Sequence, residues 1–157
     1  RNIALFTRQH VFTEGEMHSR YEILMENYAK VLHIEALTML DMARKDILPA
    51  VTRYSRSLAD TALAKQALSS EIDCSMERDM VARLSRLTGC LYRKIEALEL
   101  AVLGAKNCQN VTDEACYYKD TVFAAMQELR AVADELEGIV GENDWPFPTY
   151  GALLFSV

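Results

Sequence analysis

Few residues in this sequence break a helix. It has 3 prolines and 6 glycines in 157 residues, and Pro146 and Pro148 both fall near the end. Ala, Leu, Met, Glu and Arg dominate the rest, so helix is expected almost everywhere. No run alternates with period two for long enough to make a strand, and nothing repeats at roughly 20–50 residues, so sheet folds and solenoids are set aside. No apolar run reaches the roughly 18 residues that a membrane-spanning helix needs. The opening RNIALFTRQH is too short and too polar for a secretory signal. The chain begins on Arg1 in place of a methionine, which fits a processed form or a segment excised from something longer.

Chemical signatures are scarce too. The four cysteines, Cys74, Cys90, Cys108 and Cys116, are separated by 16, 18 and 8 residues. None of these spacings is the tight pair of a zinc site or a redox dithiol. Cys108 and Cys116 flank an expected turn, but reduced thiols are the reading, because the rest of the sequence looks cytosolic. A carboxylate-bridged di-metal site in a helical bundle needs Glu-x-x-His pairs. The residues three before His10, His18 and His33 are Thr7, Gly15 and Lys30, so no such pair exists. Glu14 and His18, one turn apart, offer at most two ligands. There is no phosphate-binding glycine loop and no nucleophile elbow. His33, on an apolar stretch beside Glu35, is read as a hydrogen-bonded histidine of a core or groove.

What is present is ordinary for a folded protein: half of the residues are hydrophobic and a quarter charged. At this length one domain is expected. The net charge is −6, unevenly spread: residues 1–110 carry 15 basic and 14 acidic side chains, and 111–157 carry 2 and 9. An acidic surface repels phosphate backbones and anionic lipid, which argues against nucleic acid and membrane partners. Arg83, Arg86, Arg93 and Lys94 form a basic edge that faces either the acidic last helix or an acidic partner surface.

Three long helices are expected, at about 14–68, 76–104 and 113–140. Thr13-Glu-Gly-Glu16 has the form of a capping box, preceded by Phe12 as a staple. Met17, Tyr21, Leu24, Tyr28 and Val31 follow on one stripe. From Leu32 to Leu40 the chain is apolar on most sides, so neighbours should enclose it on more than one side. Asp41 and Lys45 make a weak surface pair. Pro49 implies a kink or a split in this first helix. Met80, Leu84, Leu87, Leu91, Ile95, Leu98 and Val102 line the second helix, which Gly104 ends. Tyr118, Val122, Ala125, Leu129, Val132, Leu136 and Ile139 line the third, which Gly141 stops. The expected fold is all-α: an elongated antiparallel bundle of three long helices over residues 1–144, followed by a Pro/aromatic tail, 145–157. Each tail proline biases the residue before it toward extended backbone. The tail should therefore be a stiff strap presenting Trp145, Phe147, Tyr150, Leu153, Leu154 and Phe155 as a candidate interface. The strap either folds back on its own bundle or docks elsewhere.

Two stretches carry a family resemblance. FTEGEMHSRYEILMENYAKVLHIEALTMLDMARKDILPA, residues 12–50, resembles the start of the C-terminal helical domain of type III glutamine synthetases. WPFPTYGALLFSV, residues 145–157, resembles the terminus of the same enzymes. Together they cover about a third of the chain, in the right order. Ala152 departs from the acidic residue expected there, so one polar contact of the tail is in doubt. The resemblance implies a cytoplasmic parent enzyme that joins ammonia to glutamate through γ-glutamyl phosphate, using ATP and Mg2+ or Mn2+. It also implies large homo-oligomeric rings, double hexamers in this class. The ATP, metal and glutamate sites would lie upstream, in a catalytic domain absent from this chain, so no catalytic, cofactor or metal residue is assigned here. The expectation is a non-catalytic C-terminal assembly domain whose partners are the catalytic domain and neighbouring subunits. The alternative is a free-standing helical interaction or signalling module.

Overall fold

The computed structural model describes residues 2–148 and 150–155, with Tyr150, Gly151 and Phe155 described for their backbone only. Among these residues there is no strand. Among the described residues no helix is long and apolar enough to cross a membrane.

A short helix α1 (Asn2–Arg8), not expected from the sequence, comes first. It ends on His10, which has φ 53, the left-handed conformation usually given to glycine. The amide of Val11 donates to Phe6 O at 3.0 Å and that of His10 to Thr7 O at 3.1 Å, which closes the helix end. Then α2 (Glu14–Met42) starts on the expected box: the Thr13 amide donates to Glu16 Oε2 at 2.7 Å, and the Glu16 amide to Thr13 Oγ1 at 3.3 Å. Phe12 lies edge-on to Phe6 at 6.0 Å, with the Arg20 guanidinium 4.4 Å over its ring.

The chain stays helical from Glu14 to Leu68, with no loop at Pro49. A π-helical stretch, Ala43–Ile47, joins α2 to α3 (Leu48–Leu68), and Pro49 lies in the first turn of α3. The carbonyl four residues before Pro49 is that of Lys45, inside the π stretch. The wider register there removes the demand for the amide that proline lacks. A second π stretch, Tyr118–Val122, joins α5 (Val111–Tyr117) to α6 (Phe123–Glu137) and involves no proline.

Between these lies α4 (Ser75–Gly104), continued by a 3-10 turn, Ala105–Asn107. Gly104 does not cap α4. Its backbone is ordinary right-handed helix, and what it supplies is space, because a Cβ there would lie 2.3 Å from the Tyr117 hydroxyl. α5 begins at Val111, where Asn110 Oδ1 accepts from the Asp113 amide at 2.8 Å.

α3 packs along α4, α4 along α6, and α2 along α5. The core follows the expected stripes of the later helices. Leu84, Leu91, Ile95 and Leu98 on α4 and Leu129 and Leu136 on α6 are all but inaccessible. Fully burying each contributes roughly 1.5–3 kcal/mol. Arg83 reaches Glu135 at 2.9 Å and Lys94 reaches Glu128 at 2.8 Å, so these two members of the basic edge face the acidic α6. Arg44 makes a two-pronged pair with Glu99.

α6 stops at Glu137, earlier than expected, and a turn follows in which the Asp144 and Trp145 amides both donate to Gly141 O. The tail is not a wholly extended strap. Residues 145–148 are non-helical, but α7 (Tyr150–Phe155) is a helix. The prolines restrain only the residues beside them, and Ala152, Leu153 and Leu154 beyond them are good helix formers.

Candidate functional site

The polar groups do not converge on a reaction centre. His18 Nε2 lies 3.9 Å from Glu14 Oε1 in the exposed first turn of α2. His33 Nδ1 lies 2.9 Å from the Tyr118 hydroxyl, inside the fold. Burial, and after it the Glu114 charge, pushes the Tyr118 phenol up. Which of the two groups donates follows from the imidazole tautomer. Among the described residues no group of three or more His, Cys, Asp or Glu side chains is placed to hold a metal ion. All four cysteines are free thiols.

Glu77, which the sequence did not single out, is only 2% exposed. It pairs with Lys65 across the turn between α3 and α4, and its Oε2 has no hydrogen-bond partner. The Lys65 ammonium, then the residue's own amide, holds the carboxyl below its usual 4.5. Position explains the pair: Lys65 is near the end of α3 and Glu77 in the first turn of α4. This is a clasp between two helices.

The surface with functional character is apolar. Of α2, only Ala29, Leu32, Ala36 and Leu40 are buried, which is one narrow face. Tyr21, Leu24, Tyr28 and Val31, expected as a single stripe, are exposed, and Ile23, Ile34 and Leu37 are exposed beside them. No residue from Glu14 to Tyr28 is buried. The expected enclosure of Leu32–Leu40 on several sides is therefore not met among the described residues. Monomeric soluble proteins rarely expose a contiguous apolar patch of this kind, and such patches mark interaction sites.

Beyond Ile34 this surface runs into a groove of about 720 Å3 between α2, α6 and the tail. Trp145, 8% exposed, and Phe147 line it, edge to face at 6.3 Å. Both pack on the core, so this part of the candidate interface folds back. Leu153 and Leu154 on α7 stay 59% and 76% exposed. The side chains of Tyr150 and Phe155, the other two candidates, lie outside the described residues.

Residues 1–66 match the family described as the glutamine synthetase C-terminal domain. Along its length the chain is 38% identical over 156 residues to a glutamine synthetase of Butyrivibrio fibrisolvens, an alignment covering 99% of this chain and 22% of that protein. It is 30% identical over 159 residues to a type-3 glutamine synthetase of Dictyostelium discoideum, covering 99% and 22%. It is 24% identical over 157 residues to a glutamine synthetase of Bacteroides fragilis (strain YCH46), covering 98% and 22%. The chain thus spans about a fifth of the length of these relatives. The chain is thus similar to glutamine synthetases along nearly all of its residues, and over residues 1–66 to the family of their C-terminal domains.

Proposed function

We propose that this chain is the C-terminal assembly domain of a type III glutamine synthetase and does no chemistry itself. The parent enzyme then makes glutamine from glutamate and ammonia through γ-glutamyl phosphate, with ATP and Mg2+ or Mn2+ bound outside this segment. Its three rods, 14–68, 75–107 and 111–137, form the antiparallel bundle, and its partners are the catalytic domain and neighbouring subunits of a cytoplasmic homo-oligomer, a double hexamer in this reading.

The observation that carries the proposal is the uncovered apolar length of α2, from Tyr21 to Leu37. A helix apolar on several sides is stable when neighbours cover it, and this chain covers one face only. Relatives more than four times as long offer a body of protein to cover the rest. The scattered polar groups point the same way. Similarity to glutamine synthetases along the whole chain removes the motive for a free-standing module.

The test compares the isolated chain, the parent enzyme, and the parent truncated before this segment. The chain alone is expected to form no glutamine and no γ-glutamyl hydroxamate, and the truncated parent to lose its assembled size. Glutamine synthesis by the isolated chain would overturn the non-catalytic role. Normal assembly of the truncated parent would overturn the structural one.

A further inference from the structure

We infer that the groove between α2, α6 and the tail is a docking site for a basic amphipathic helix of a separate polypeptide. Its inner surface is apolar and adaptable, with Met39, Met42 and Met126 beside Trp145 and Phe147. Methionine-rich walls accommodate varied apolar side chains. The walls run from Ile34 to Ile47 on one side and from Phe123 to Glu137 on the other. At 1.5 Å per residue each wall is about 20 Å long, the length of a helix of roughly 14 residues. Laying an amphipathic helix into an apolar groove is a common recognition mode.

The rim decides the sign of the partner. Among the described residues four charged side chains line the groove: Glu35, Arg130, Asp134 and Glu137. Arg130 is paired with Asp134, Nε to Oδ2 at 3.5 Å. Among the described residues neither Glu35 nor Glu137 has a cationic partner. The net rim is negative, and lysines or arginines flanking an apolar stripe complement it. A second copy of α2 fits poorly, because Glu14, Glu16, Glu22 and Glu26 outnumber Arg20 and Lys30 along its open half. A charged rim around a modest apolar floor also suits an exchangeable partner, since rim charges act mainly on encounter and specificity.

This inference deepens the reading of α2 as an interaction surface, but it concerns the groove alone and is tested on the chain alone. Its failure there would leave the assembly role standing. Trp145, the single tryptophan, is a built-in reporter. The probe is a synthetic 14-residue Leu/Lys amphipathic peptide, set against a Leu/Glu peptide with the same apolar stripe. Tryptophan emission and the anisotropy of labelled peptide are followed at low and high salt. The Leu/Lys peptide is expected to shift Trp145 emission and to bind at least tenfold more tightly than Leu/Glu. Glu35→Lys with Glu137→Lys should weaken Leu/Lys binding by about tenfold. Glu71→Lys with Asp79→Lys, outside the groove, should leave it unchanged, and melting curves check that both double variants fold. Equal binding of the two peptides, an unmoved Trp145 signal, equal effects of the two double variants, or self-association of the chain through the groove would each overturn the assignment.

Discussion

Leu24 and Ile34 stand 64% and 63% exposed on α2, so replacing both with aspartate perturbs the proposed docking face without opening a cavity. In the isolated chain the main cost is helix propensity, about 0.5 kcal/mol for each substitution. For a domain of this size that lowers the melting temperature by roughly 2–4 °C in total. In the parent enzyme the same side chains are proposed to be covered. Burying the exposed part of a Leu or Ile contributes about 1–2 kcal/mol, and a carboxylate buried without a partner costs several more. The docked state should therefore lose on the order of 5 kcal/mol, more than a thousandfold in the association constant. Sedimentation velocity of the parent, with and without the double substitution, reads the loss of assembly, and thermal melts of the isolated chain read the fold. A variant parent that keeps its wild-type size refutes the reasoning. So does an isolated chain that loses more than about 10 °C, because the substituted face would then be hidden core.

Trp145→Ala should cost the isolated chain about 3–5 kcal/mol in urea unfolding, since the indole packs on the core, and a loss below about 1 kcal/mol would contradict that packing. Thr13→Ala removes the hydroxyl half of the capping box, leaving the bond from the residue-13 amide to Glu16, and should fray the open half of α2, lowering helicity by circular dichroism while the global midpoint hardly moves. Stability should also depend on acid in a set direction. Glu77 is held low by Lys65, Glu99 by Arg44, and Glu16 by the Thr13 amide and hydroxyl. A carboxyl whose folded pKa is depressed adds stability that is complete above its unfolded value of 4.5 and is lost as pH falls through the folded one. The melting temperature should accordingly be flat near neutrality and fall below about pH 4.5. Lys65→Met should be less stable than wild type at pH 7 and converge with it in acid; parallel curves would show that the Glu77 pair contributes nothing.

Periodicity located the long helices well, because breakers are few and the inner positions of α4 and α6 are filled by large side chains at steps of three and four. The capping box at Thr13 was legible because its chemistry is local. Periodicity marks an apolar stripe without naming what covers it: of the stripe from Met17 to Val31, Met17 is half-buried and Tyr21, Leu24, Tyr28 and Val31 are exposed. Lys65 and Glu77 were missed because they meet across a turn, twelve residues apart, with no spacing signal to connect them. Pro49 announced a disturbance in the first helix, whereas the π stretch at Tyr118–Val122 carries no breaker to announce it. Gly104 is the last residue of α4, as its place in the sequence suggested, but what the glycine supplies is room for Tyr117, a contact visible only once α4 and α5 are packed together. In the tail, Trp-Pro-Phe-Pro pointed to extended backbone, whereas residues 145–148 are non-helical with bends at Pro146 and Phe147, and a helix follows from Tyr150.

The most direct measurement is amide hydrogen exchange on the isolated chain and on the same segment within the parent enzyme. The account predicts fast exchange over residues 14–28 in the isolated chain, where α2 lacks cover, and strong protection of that stretch in the parent. Residues 84–98 of α4 should be protected alike in both. Fast exchange over 14–28 in both forms would contradict the claim that the rest of the enzyme covers α2.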